Sequence, residues 1–260
     1  MPELEHFGDV SYIKQTNTNM GAHIDVYLYL VDRLLIDCGP QIMEQELGSF
    51  FRTQPIEKLA VTHLHEDHCG MAAWVQQNLG VPIYLDSQSI AEAAAEGEYA
   101  QYRHLTWGDR PGFLALPLPP VLTTHKYSFQ IFNTPGHMAR HSVLLEKNQG
   151  WLFSGDLYVR SKIRFCAQGE NMKEYIKSLE NVLALDFDTV FCAHAGVLEN
   201  GREKLRQKLD FMLELQEKVN ALRRQGLSNR EIDHRLFPDE QIITLVSDGE
   251  WNSYNIVSTI

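Results

Sequence analysis

Within six consecutive residues, His63 to His68, this chain places three imidazoles and two carboxylates. Imidazole and carboxylate are ligands for zinc and similar divalent ions. One straight helix face would aim only a subset of such side chains at a common point, whereas a tight turn at the end of a strand can aim several. The flanks agree with a turn. Ile56–Thr62 is an apolar, strand-like run that delivers His63, and Gly70–Asn78 reads as a helix. A solvated histidine loop with Glu66 exposed is the competing reading, and the density of ligand types argues against it.

The remaining chain alternates in the same way. His23–Val31 and Leu34–Asp37 read as strands joined by a tight turn at Asp32-Arg33 and stopped by Cys38-Gly39-Pro40. Ile42–Phe51 reads as a short helix, Val81–Leu85 as a strand, Ser87–Tyr102 as a helix and Asp109–Pro120 as a surface loop. Strands follow at Tyr127–Asn133, Ser142–Glu146 and Trp151–Ser154, a helix at Met172–Leu185, and a last strand at Thr189–Ala193. From Gly201 to Gln225, Leu205, Leu209, Met212, Leu215, Val219 and Leu222 recur at steps of three or four, as on an amphipathic helix. Ser228 with Glu231, and Ser247 with Glu250, have capping-box spacing, so two more short helices are expected. With 260 residues, 44% of them hydrophobic, the chain can bury one substantial α/β core. The expected division is a catalytic domain over residues 1–200 and a helical extension over 201–260 packed on it.

Three further motifs follow the histidine run: Thr134-Pro135-Gly136-His137, Ser154-Gly155-Asp156 and Ala193-His194-Ala195-Gly196, each at the end of a predicted strand. Together with His63-x-His65-x-Asp67-His68 and the early Asp37-Cys38-Gly39, they resemble the metallo-β-lactamase superfamily from about residue 20 to residue 225. That resemblance implies an αββα sandwich with metals in a shallow cleft along one edge. It implies one divalent ion on His63, His65 and His137, a second on Asp67, His68 and His194, and Asp156 bridging them. A hydroxide between two such ions is a nucleophile at neutral pH. Asp67 is the implied catalytic proton relay. Zinc suits these ligands, and manganese or iron also binds such sets. Where relatives carry Pro-Gly-His-Gly, this chain has Ala193-His194-Ala195, so the last loop is expected to differ in shape. His141 reads as a residue beside the ligands or in the cleft wall facing substrate, not as a ligand.

Among the superfamily's activities, the C-terminal helices after His194 resemble those of glyoxalase II-like hydrolases, which implies a thioester, lactone or related ester as the small-molecule substrate. A nuclease or phosphodiesterase is the alternative, and a mononuclear iron persulfide dioxygenase, on positions matching His63, His137 and Asp156, a further one. Arg160, Lys162 and Arg164 alternate along one segment and are expected to bind an anionic substrate tail or to form an ordinary solvated edge. Tyr99, Tyr102, Trp107 and Phe113 are expected in the cleft wall or the core. Trp251-Asn252-Ser253-Tyr254 is expected to cap the cleft or to pack against a second subunit in a homodimer. The net charge of −11 argues against nucleic acid as the main partner. Cys38, Cys69, Cys166 and Cys192 form no CxxC pair and read as buried side chains. The N-terminal residues lack a signal-peptide pattern and no apolar run is long enough for a membrane span, so the cytoplasm is the expected location.

Overall fold

In a computed structural model, which describes residues 3–18, 23–239 and 241–260, two mixed sheets face one another and helices cover their outer faces. The first sheet has seven strands in sequence order: β1 (Leu4–Phe7), β2 (Val10–Asn17), β3 (Ile24–Val31), β4 (Leu34–Ile36), β5 (Lys58–Ala60), β6 (Ile83–Leu85) and β7 (Leu116–Pro117). Its first half is an antiparallel meander, and β4 to β7 run parallel. The second sheet draws on β8 (Val121–Thr123), β9 (Ser128–Asn133), β10 (Ser142–Glu146), β11 (Trp151–Gly155), β13 (Thr189–Cys192) and β14 (Gly196–Leu198), in the order β14-β13-β11-β10-β9-β8. Two short strands, β12 (Cys166–Ala167) and β15 (Trp251–Asn252), pair separately.

The central strands β4, β10, β11 and β13 read as apolar runs because both of their faces are buried. On β3, Val26, Leu28 and Leu30 pack outward under helices, while Tyr29 and Val31 pack inward between the sheets. On β11 the inward residues are Trp151 and Phe153 and the outward one is Leu152. The inter-sheet layer is strongly aromatic, with Phe153 stacked on Phe191 at 4.6 Å.

Helices α1 (Glu44–Phe51), α2 (Glu66–Cys69), α3 (Ala72–Leu79), α4 (Ile90–Ala93) and α5 (Gln101–Trp107) belong to the first sheet's side. Helices α6 (Met172–Leu183), α7 (Gly201–Arg224), α8 (Asn229–Leu236), α9 (Ile242–Val246) and α10 (Ser253–Thr259) follow, and α6, α7, α8 and α10 cover the second sheet. The α7 stripe expected from spacing, Leu205 through Leu222, is buried in that core. Gly201 opens α7 where a Cβ would come within 2.4 Å of Val190, so only glycine permits this approach of helix to β13.

Some expected elements differ. β1 and β2 carry enough polar residues to hide their alternation from the sequence. The helix expected over Ser87–Tyr102 is broken into α4 and α5. The Arg110 guanidinium takes the carbonyls of Glu92, Ala93 and Ala95, which ends α4, and Gly97 donates to Arg110 O. The loop expected at Asp109–Pro120 includes β7. The capping box at Ser228 and Glu231 is present, but Ser247 closes α9 instead of opening a helix, and Asn252 caps α10. Among the described residues, no helix is long and apolar enough to cross a membrane.

Candidate metal centre

Parallel strand pairs in both sheets, β4 with β5 and β11 with β13, deliver the site's loops from their C-terminal ends. Asp37 follows β4, and His63 lies three residues beyond β5. His68 and Asp67 sit on the single turn of α2. His137 follows β9, Asp156 follows β11, and His194 follows β13. Gly155 makes the turn before Asp156 at φ +46°, where a Cβ would lie 2.7 Å from the His141 ring.

The side chains form two adjoining sets. In the first, His65 Nδ1 lies 3.1 Å from His63 Nε2 and 2.9 Å from His137 Nε2. In the second, His194 Nε2 lies 3.2 Å from Asp67 Oδ2, and His68 Nε2 lies 3.7 Å from the same oxygen. Asp156 serves both: Oδ2 is 3.3 Å from His137 Nε2, and Oδ1 is 3.3 Å from both His68 Nε2 and His194 Nε2. The loop carrying Ala193 and Ala195 thus still brings His194 to the centre. Its Nδ1 is held by Asp25 O at 2.7 Å, and Tyr27 N donates to Ala193 O.

Several distal ring nitrogens have partners outside the centre. His63 Nδ1 meets Thr62 Oγ1 at 3.0 Å, His68 Nδ1 meets Asp37 Oδ2 at 2.8 Å, and His137 Nδ1 lies 3.4 Å from Glu170 Oε2. Asp37 also accepts from Thr62 N and Thr62 Oγ1, so one carboxylate braces both sets. A proton fixed on each of these Nδ1 atoms leaves the Nε2 lone pair facing inward, the arrangement that metal-ligating histidines use.

The donors fit divalent ions. A tetrahedral ion with bonds of ~2.0–2.1 Å spaces its ligand atoms roughly 3.3 Å apart, close to the separations above. His68 Nε2 and Asp156 Oδ1 are buried with no hydrogen-bond partner among the described residues, although they face each other. With His68 neutral these two atoms are facing acceptors, an arrangement that is costly unless a cation completes it. Three groups of potential ligands emerge: His63, His65 and His137; His63, His68 and Asp156; and Asp67, His68 and His194.

A sequence profile of the metallo-beta-lactamase superfamily matches residues 21–194. The chain belongs to the metallo-beta-lactamase superfamily. Beta-lactamase-like protein 2 homolog of Drosophila melanogaster is 25% identical over 202 residues, 72% of this chain and 63% of that one. Atrochrysone carboxyl ACP thioesterase of Aspergillus fumigatus is 26% identical over 69% of this chain and 52% of its own length. Hydroxyacylglutathione hydrolase of Bdellovibrio bacteriovorus is 23% identical over 63% of this chain and 57% of its own. This superfamily member therefore spans between about half and two thirds of those relatives' lengths. A beta-lactamase domain protein from Burkholderia ambifaria shares the fold, with a TM-score of 0.71 at 17% identity over 97% of this chain and 85% of that one.

Electrostatics set most of the superfamily member's two donor sets apart, His137 excepted: burial lowers it, but Glu170 and Asp156 outweigh this and raise it. Burial, then the neighbouring imidazoles, holds His63 well below the usual histidine range; burial and then His137 do so for His65. Burial also lowers His68 and His194, but Asp156 and Asp67 outweigh it and hold both well above that range. Burial raises Asp67 and Asp156, and the His68 and His194 charges more than reverse this.

The structure also places the other expected positions. His141 is buried beneath the centre instead of facing substrate: Nδ1 meets Thr134 Oγ1 at 2.7 Å, and Nε2 accepts from Asp156 N at 3.0 Å. Arg160, Lys162 and Arg164 are exposed and alternate with half-buried Ser161 and Ile163. Trp107 and Phe113 join the core, whereas Tyr99 and Tyr102 are half-buried. Trp251-Asn252 pairs with β12.

The contacts that support the site through Glu66, Arg103, Glu250 and Glu170 were not apparent in the sequence. Glu66 is buried, not exposed: Arg103 on α5 grips it through two contacts, at 2.5 and 2.7 Å, and reaches Glu250 at 3.0 Å. Glu170 accepts from Ala167 N at 2.9 Å while its other oxygen faces His137.

Proposed function

We propose that this protein is a metal-dependent hydrolase of thioesters or closely related acyl esters, with two divalent ions, zinc by donor type, at the centre. The observation that carries the reading is Asp156, whose two carboxylate oxygens face different donor sets, one of them a buried acceptor without a partner. When bound, the ions supply an activated water and a polarised acyl oxygen.

The chain's own groups do the rest. His63, with its Nδ1 against Thr62 Oγ1, presents a neutral imidazole of fixed orientation. Asp37 and the Asp25 carbonyl fix the rings of His68 and His194. Asp67, buried at 7% exposure and 3.2 Å from His194 within the second donor set, takes a proton and passes it to the departing thiolate or alkoxide. Arg160, Lys162 and Arg164 form an exposed cationic edge just after Asp156, suited to an anionic tail on the substrate.

The thioester reading is supported by the Aspergillus and Bdellovibrio relatives, named as an ACP thioesterase and a hydroxyacylglutathione hydrolase. Elemental analysis of protein purified without added metal, followed by a screen of thioesters, lactones and phosphodiesters with wild type and Asp67→Ala, tests it. About two equivalents of zinc or manganese and thioester turnover lost in Asp67→Ala are expected. Undiminished turnover by thoroughly chelated protein would end the reading, and a single equivalent of iron with oxygen uptake would replace it.

A further inference from the structure

The α7 helix carries a buried cation that the proposed reaction leaves unused. Lys208 lies on the apolar stripe, three residues after Leu205 and four before Met212, and is 1% exposed. An ammonium group in such a core is costly unless its donors are met. Its Nζ donates to Leu157 O at 3.1 Å, Tyr158 O at 2.5 Å and Tyr175 Oη at 2.6 Å. Tyr175 Oη in turn lies 2.5 Å from Asp156 O and 3.0 Å from Leu157 O. Three successive carbonyls, those of residues 156, 157 and 158, are thus gathered by one lysine–tyrosine pair.

Successive carbonyl oxygens turned to one side repel each other, and this turn is bent further at Val159, with φ +53°. A β-branched residue in that region is an outlier that persists only where its surroundings over-determine it. The opposite side of the turn is fixed by His141, which accepts from Asp156 N. Burial draws the Lys208 ammonium down to about 8, so the carbonyls still meet a largely charged group near neutral pH.

We infer that Lys208, acting through Tyr175, is a positioning residue that sets the Asp156 turn so that one carboxylate oxygen faces each donor set, which makes α7 part of the metal centre. This rests on the two-ion reading above. The test is zinc affinity, measured by competition with a chromophoric chelator, together with the visible spectrum of the cobalt(II)-loaded protein, for wild type, Lys208→Met and Tyr175→Phe. Lys208→Met keeps the volume and removes the donors. It is expected to stay folded without metal, to lose ~10–100-fold in zinc affinity, as outer partners of ligands do, and to shift the cobalt bands. Tyr175→Phe is expected to do the same to a smaller extent.

Unchanged zinc affinity and cobalt bands in folded Lys208→Met would overturn the inference. So would a lower metal-free melting temperature with normal affinity, the signature of a merely structural lysine. If Lys208→Met fails to fold, Tyr175→Phe decides: wild-type affinity there overturns the inference. Wild-type protein that takes up no zinc would instead sink the two-ion reading, and this inference with it.

Discussion

The two donor sets share one carboxylate but rest largely on different electrostatic terms, with His137 of the first set raised by Glu170 and Asp156 as the second set's histidines are by their carboxylates. His63 and His65 are held down by burial and by neighbouring positive groups, chiefly His68 and His65 for His63 and His137 and Arg103 for His65, which Asp67 and Asp156 only partly offset at His65. His68 and His194 are matched to Asp67 and Asp156, which outweigh burial and favour their charged forms when no ion is present. The first set is ready to accept an ion without first losing protons from His63 and His65. On the two-ion reading, the second would have to release protons, and an ion there would replace positive charge on His68 and His194. Two sites with similar ligand spacing can thus respond differently to pH.

The strongest way to break this contrast is to remove what the sets share. Asp156→Ala should abolish tight uptake of both equivalents, with a loss of more than about 100-fold in affinity, beyond that of outer partners; zinc titration reads it. If one equivalent still binds normally, Asp156 does not join the sets. Next, His65→Ala and His194→Ala should each drop the stoichiometry from two to one, leaving different ions behind. Cobalt spectra of the two variants should therefore differ, and identical spectra would merge the two sets into one.

A smaller effect is expected one shell out. Glu170→Gln keeps the shape but weakens the acceptor facing His137 Nδ1, and should cost about 10-fold in affinity at the first set alone. Isothermal titration that shows equal losses at both equivalents would contradict this.

The smallest effect is a slope. Histidines raised in the folded state contribute stability that is fully present below about pH 6.5 and lost as pH rises through their folded values; lowered ones, including His141 at about 3, cost stability as pH falls below about 6.5. The metal-free protein should lose up to about 1.4 kcal/mol per pH unit for each buried neutral histidine on the acid side, as read by denaturant unfolding. Correspondingly, affinity at the second set should climb more steeply than at the first between about pH 6 and 8. Equal slopes would erase the distinction.

Most of this architecture was legible because the ligands are local or end apolar strands. His63, His65, Asp67 and His68 share one turn, and His137, Asp156 and His194 each follow a run that was readable as a strand. What escaped depends on distance along the chain. Arg103 lies 37 residues from Glu66, and nothing in the local pattern links them. Lys208 did leave a signal: counted from Leu205 and Met212 it falls on the buried stripe, and its charge disguised that. The N-terminal strands escaped because Ser11, Lys14, Gln15 and Thr16 interrupt the apolar period between buried Val10 and Ile13 and the strand's end.

The Arg103 clamp carries a consequence for how the molecule matures. A polypeptide leaves the ribosome from its N-terminus and folds as its parts become available. The histidine loop emerges early, yet its buried Glu66 waits for a guanidinium 37 residues later, and that guanidinium is anchored by Glu250, 147 residues further on. The histidine loop therefore acquires its final brace only after Glu250 has been synthesised, long after the loop itself.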